Sequence, residues 1–264
     1  MLKHPSTARS ILLTGAAGGI GSAFFRSTAA QYLFRLADRV TNALSEAATQ
    51  GHEIFTLDVA DLDRCQQACQ GIDTVVHLAA DANPNADFYG SLLPNNILGT
   101  YNIFRAARDQ GCRRVIFASS AQVVAGYPRD VQAHPDSPIR PMNMYGVSKS
   151  FGEAVAAYFA FAEGLSSIAV RIGAYDISQP TPNWLRQQPD ARNLSAYVSE
   201  RDLNQLLVRC IETPDIPFAI VHGISDNRFK RLDLTSTRHL LGYEPQDDAF
   251  DLFRADLLRW LQDA

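Results

Sequence analysis

The chain has 264 residues, 46% of them apolar and 20% charged, enough for one sizeable α/β domain or a large domain with a small appendage. Its 24 basic and 28 acidic residues leave a formal net charge of −4 with no Lys/Arg stripe to track a phosphate backbone, which argues against nucleic acid as a partner. No apolar run approaches the roughly 20 residues that span a bilayer, and the opening "MLKHPSTARS" lacks the apolar centre of a signal peptide, so a soluble, cytoplasmic protein without a membrane partner is expected.

Along the chain, short strand-like runs alternate with longer helical patterns. Strands are predicted at 10–14, 33–38, 53–58, 74–79, 114–119, 168–172 and 218–222, most of them apolar on both parities, as suits strands covered on both faces. Helices are predicted at 20–30, 62–70, 95–110, 145–163 and 201–212. Strand then helix, repeated, implies right-handed crossovers and a doubly wound parallel sheet. Two long irregular segments, 125–144 and 173–193, are rich in Pro, Asp, Asn and Gln and leave what the pattern makes carboxyl ends of strands, where such sheets place ligands. The last forty residues, with "LDLTSTRHLLGY" and "DDAFDLFRADLLRWLQ", predict a small helical cap. One domain is expected over 1–264, with a nucleotide-binding core near 8–173 and the substrate loop and cap after it.

Gly15, Gly18 and Gly21 stand as G-x-x-G-x-x-G directly after the first strand and at the mouth of the first helix. Residues without a Cβ permit the tight turn, the approach of a pyrophosphate to the backbone around Gly19 and Ile20, and the contact of helix with strand. The second strand ends at Asp38, 38 − 15 = 23 positions beyond the first glycine, where a carboxylate accepts hydrogen bonds from a ribose diol. That favours NAD over NADP, whose 2′-phosphate the carboxylate repels, although Arg39 follows and suits such a phosphate. Asp58 and Val59, after the third strand, are expected beside the adenine, with a turn-capping role as the alternative for Asp58. Together these features describe a Rossmann-type fold.

Tyr145 and Lys149 lie one helical turn apart on one face. A phenol beside an ammonium and near an oxidised nicotinamide is expected to shift toward the phenolate and take a proton from an alcohol. Ser119 and Ser120 end the fifth strand and face the same crevice. His77, at a strand end, is expected to be structural. Of the four cysteines, Cys65 and Cys69 have i, i+4 spacing, but no further ligand completes a metal site; no metal is expected.

The segments "TGAAGGIG", "LAD", "LDVAD", "VVHLAA", "NNILGTYNIFRAA", "RVIFASS", "YGVSK" and "AVRIG", in that order over roughly residues 10 to 173, resemble the extended branch of the short-chain dehydrogenase/reductases, the NAD-dependent epimerase/dehydratase family. The resemblance implies Ser120 on the substrate oxygen, Tyr145 as acid/base, Lys149 assisting the tyrosine and holding the nicotinamide ribose, and Asn96 keeping the relay geometry. It also implies Leu78, Ala79, Ala80 and Ile172 beside the cofactor. Only 264 − 173 = 91 residues follow the sixth strand, which suits a small substrate rather than a nucleotide sugar.

Within the branch, "GYP", "YGVSKSFGE" and "RNLSAYVSERD" are most similar to uronate dehydrogenases, which oxidise glucuronate or galacturonate at C1 with NAD. That similarity implies that Arg192 binds the sugar carboxylate, with a solvated loop arginine as the alternative. Ala121 and Gln122 stand where those enzymes have Asn-His, and Ala82 replaces a small polar residue. Either Asn83, Gln122 and Asn143 supply the missing contacts, or the substrate is a different small alcohol, aldose or ketone. An epimerase and a non-catalytic dinucleotide sensor are the alternatives; a 4,6-dehydratase is disfavoured because no acid follows the serines. The helix "SFGEAVAAYFAFAEG" is apolar nearly all round, with Phe151, Val155, Tyr158, Phe159 and Phe161 on more than one face, which predicts a homodimer paired through this helix and "ILGTYNIFRAA" in a symmetric four-helix contact, with a helix covered by the cap as the alternative.

Overall fold

The computed structural model describes residues 8–45, 47, 50–176, 182, 183, 185 and 191–263. Seven parallel strands form one sheet: β1 (Ser10–Thr14), β2 (Leu33–Asp38), β3 (Glu53–Thr56), β4 (Thr74–His77), β5 (Arg114–Ser120), β6 (Ser166–Ile172) and β7 (Phe218–Gly223). Their order is β3-β2-β1-β4-β5-β6-β7, so the chain reverses direction across the sheet between β1 and β4. That switch point opens the crevice in which a doubly wound sheet takes its ligand.

The apolar runs bury because both faces are covered. On one face Phe24 of α1 (Gly19–Thr28) and Leu206 and Leu207 of α6 (Glu200–Glu212) pack on Leu36, Val76 and Val170. On the other, Ile103 and Phe104 of α3 (Gly99–Asp109) and Phe159 of α4 (Met144–Glu163) pack with α2 (Leu62–Cys69) on Leu12, Val75 and Val115. All four cysteines are buried and free, and burial pushes the Cys65 thiol up to about 12, so these are packing groups. Among the described residues no three His, Cys, Asp or Glu converge on a point, and no helix is long and apolar enough to cross a membrane.

One expected helix divides in two. Ahead of α3, residues Phe88–Leu98 form a wide π-type helix, with the Leu92 N–H on the Asp87 carbonyl and the Gly99 N–H on the Pro94 carbonyl. Pro94 has no N–H to give to an ordinary helical ladder, and Asp87 caps the segment by accepting from the Gly90 N–H at 2.6 Å. The apolar excess of α4 divides between two faces: Val155 and Phe159 are buried in this chain's own core, whereas Tyr158 and Phe161 remain 55% and 74% exposed. The strand under α4 is flanked on both sides, so one face of the helix is consumed internally.

The C-terminal segment forms α7 (Thr235–Leu241), α8 (Ala249–Leu252) and α9 (Arg254–Asp263). Ala249 and Phe253 cluster with Leu194 of α5 (Ala191–Ala196) and Tyr197. Asp202, 1% exposed on α6, accepts from the Ser225 hydroxyl and the Gln246 and Asp247 N–H groups, tying this cap to the body. Much of the second irregular segment lies outside the described residues.

Candidate active site

The glycine turn is shaped by contacts that only glycine permits. Gly15 has φ +68°, and a Cβ there would stand 2.8 Å from the Ala79 nitrogen. A Cβ on Gly21 would stand 2.3 Å from the Gly15 carbonyl oxygen, so α1 begins pressed onto the turn. Gly18 is the N-cap of α1 and no side chain caps the helix, which leaves its first-turn N–H groups facing the crevice. Asp38 sits at the end of β2 and accepts from the Ala17 N–H at 3.0 Å, so one carboxylate both holds the turn and borders the hollow beside it. Arg39, Val59, Leu78, Ala79 and Ala80 border the same hollow. Asp58 does not: it is exposed and accepts from the Ala60 N–H at 2.9 Å, the capping geometry of its turn.

A second hollow, about 550 Å³, continues from Gly15, Gly18, Gly19, Ile20 and Gly21 to Ser120, Tyr145, Lys149 and Ile172. Ser120 ends β5, and Tyr145 and Lys149 follow the Asn143 cap of α4, whose Oδ1 accepts from the Gly146 N–H. The helix approaches closely because Gly152 has no Cβ; one there would lie 2.1 Å from the Phe117 ring. That approach lets the Lys149 ammonium donate to the Ala118 carbonyl at 2.8 Å, 5.7 Å from the centre of the Tyr145 ring.

Burial sets the charge state of this group. It drives the Lys149 pKa down to about 7. It also pushes the Tyr145 phenol up, against the lowering effect of a hydrogen bond with Ser120, and the Asp81 carboxylate adds to the rise. Among the protein groups alone, desolvation outweighs the Ser120 hydrogen bond, so the expected shift of Tyr145 toward phenolate needs the positive nicotinamide that the expectation included. His77 is 1% exposed, shares a 2.8 Å hydrogen bond with Thr14, and is held neutral by burial with a pKa near about 3.

Asn96 is buried in the π-type helix and joins two segments. Its Oδ1 accepts from the Asp81 N–H at 2.8 Å, and its Nδ2 donates to the Asp81 carbonyl and to the Ser148 hydroxyl, both at 3.0 Å. Ser148 in turn donates to the Tyr145 carbonyl, so Asn96 fixes the helix turn that carries the tyrosine. Beneath lies a buried group that the sequence reading missed. Glu153, one turn beyond Lys149, accepts from the Ser119 hydroxyl at 2.6 Å and from Arg171 Nε and Nη2 at 2.8 and 2.9 Å. A usable signal was present: an arginine inside "SSIAVRI", a strand buried on both faces, requires a buried counter-charge.

Past Ser120 and Gln122 opens a third hollow of about 330 Å³, bordered by Arg192, Asn193 and Arg231. Gln122 faces both this hollow and the second. Asn143 reaches it only indirectly, donating to the Gln122 side-chain oxygen at 3.1 Å. Ala82 borders the second hollow, but Asn83 is exposed and turned away, accepting from the Asn85 N–H.

Residues 11–175 match the model of the NAD dependent epimerase/dehydratase family. The chain is 35% identical to a uronate dehydrogenase of Pseudomonas putida over 93% of its own length and 86% of the relative's. It is equally identical, at 35%, to an NAD-dependent glucose-6-phosphate dehydrogenase of Haloferax volcanii, over 90% and 94% of the two chains. The crystal structure of uronate dehydrogenase from Agrobacterium tumefaciens superposes with a TM-score of 0.81 at 32% identity, covering 96% of this chain and 89% of the other.

Proposed function

We propose that this chain, which belongs to the NAD dependent epimerase/dehydratase family, is an NAD-dependent dehydrogenase that moves hydride between C1 of a small sugar or sugar acid of the uronate kind and the nicotinamide. The observation that carries the reading is the convergence of Ser120, Tyr145 and Lys149 on one hollow continuous with the glycine turn. The cradle fits a dinucleotide: glycines where a Cβ would collide, an uncapped helix start, and Asp38 at the ribose position. Asp38 supports NAD, and Arg39 on the same rim is the feature that would admit NADP.

When bound, NAD would supply a hydride acceptor and a positive charge. Ser120 would then hold the sugar oxygen, and the Tyr145 phenolate oxygen would accept the proton leaving the C1 hydroxyl. Lys149 contributes positive charge from one turn away, and Asn96 keeps the tyrosine-bearing turn in place. Arg192 is the residue assigned to the sugar carboxylate, for which a guanidinium fork is suited.

The test is NADH formation with D-glucuronate and D-galacturonate beside neutral aldoses, with Tyr145→Phe as the blank. Turnover should fall by about 10² to 10⁴ in the variant, the range for loss of a general base. NAD binding without NADH formation from any sugar would overturn the dehydrogenase reading and move the assignment to epimerisation. The same reading includes a cytoplasmic protein acting as a homodimer. Support comes from four cysteines in no disulfide and from Leu98, Tyr101, Tyr158 and Phe161, all exposed on the π-type helix, α3 and α4; a monomer in sedimentation at micromolar concentration would end the dimer.

A further inference from the structure

The third hollow holds a second cation besides Arg192. Arg231 lies between β7 and α7 and is 9% exposed. Its Nη1 donates to the carbonyls of Pro128 and Val131, at 2.5 and 3.3 Å, and its Nη2 to those of Tyr127 and Ala125, at 2.7 and 3.5 Å. Carbonyl oxygens satisfy donors without bringing a negative charge. The acids on either side of it in the chain are engaged elsewhere: Asp233 accepts from the Thr235 N–H and hydroxyl and lies 3.7 Å from His134, and Asp226 pairs with Lys230 and Arg238. Among the described residues bordering this hollow there is no Asp or Glu.

A partly buried positive charge with no counter-ion is costly, and a second one at the same cavity adds repulsion. Burial holds the Arg231 pKa down, and the charge of Arg192 lowers it further, so the two guanidinium groups feel one another across the hollow. An anion entering between Ser120 and this end supplies the counter-charge that Arg231 lacks. Resting on the dehydrogenase reading above, we propose that Arg231 is a specificity-determining residue: with Arg192 it selects an aldose bearing an anionic group, carboxylate or phosphate, at the end remote from the reacting carbon. Arg192 is exposed at the rim and suited to direct contact. Arg231 acts through its field, since both terminal nitrogens are already committed to carbonyls, and is a positioning rather than a catalytic residue.

The experiment compares kcat/KM for D-galacturonate, D-glucose 6-phosphate and D-galactose in the native protein, Arg231→Lys and Arg231→Met. The native protein should prefer one of the two anionic sugars, and which one identifies the anion. Arg231→Met should lower the anionic-to-neutral ratio by about tenfold or more, mainly through KM, whereas Arg231→Lys should keep it within about threefold. A loss that is only structural would lower all three sugars by the same factor; an unchanged ratio in Arg231→Met, or a collapsed one in Arg231→Lys, overturns the proposal. If Arg231→Met does not fold, the native and Arg231→Lys ratios decide. A thermal-shift titration of the native protein with galacturonate and galactose reads the same preference without turnover. Greater stabilisation by the acid supports the proposal even if no sugar forms NADH, an outcome that would defeat the dehydrogenase reading alone; equal shifts overturn the proposal itself.

Discussion

The two ends of the crevice are built by opposite means. The dinucleotide end is backbone: a turn of glycines, a helix start and one carboxylate, all but the last within seven consecutive residues. The end proposed for the sugar is side chains from segments far apart, with Ser120 from β5, Arg192 from α5 and Arg231 from beyond β7, the last joined to 125–131 through carbonyls about a hundred positions earlier. A site made of local backbone tolerates change everywhere except at its own glycines. A site made of distant side chains depends on a frame, and that frame can be broken from below.

The largest effect should therefore come from the frame. Glu153→Gln leaves the Arg171 guanidinium, 1% exposed, without its counter-charge, a change that costs roughly 3–5 kcal/mol when one partner of a buried pair is removed. Because Glu153 joins α4 to β5 and β6, chemical denaturation should register that loss and turnover should fall with it. A loss under about 1 kcal/mol would mean that the pair does not hold the frame.

Gly21→Ala should act on the other end alone. The new methyl meets backbone atoms of Gly15 and Ala16 at 2.3 and 2.8 Å, an overpacking worth about 1–3 kcal/mol. NAD affinity should drop while the ratio of anionic to neutral sugars stays fixed; a changed ratio would show the two ends to be coupled.

The most gradual effects come from pH, and they reach both ends. His77 supports β1 through Thr14, and His222 supports the sugar side through the Asp233 carbonyl. Burial depresses their pKa values to about 3 and about 4 from 6.5. The unfolded chain then binds more protons than the folded one below pH 6.5. Each contribution is complete above 6.5 and is lost at about 1.4 kcal/mol per pH unit on acidification, down to about 4 for His222 and about 3 for His77. His77→Gln and His222→Gln should each flatten the stability profile over its own window. A profile of unchanged slope in either would show that the histidine is not neutral in the fold.

Most strands and the first glycine turn were legible because their signals are local: apolar runs of strand length, glycines at fixed offsets, a tyrosine and lysine one turn apart. The split of the helix at Pro94 was missed because the apolar pattern runs through it, while the π-type hydrogen bonding depends on a missing N–H and on Asp87. Asn83 and Asp58 are polar residues at the right sequence distance whose side chains close on their own turns instead of facing the hollows.

The sequence by itself determined the order of strands and helices, the glycine cradle, and the stripe that carries Tyr145 and Lys149. These follow from periodicity and from backbone sterics, which act between near neighbours. Only the tertiary structure decided that Glu153 neutralises Arg171, that burial opposes ionisation of Tyr145, and that Arg231 comes to the third hollow with backbone carbonyls as its hydrogen-bond partners. Each of those depends on what surrounds a charge once water has been excluded, and that environment is assembled by parts of the chain that have no local relation to one another.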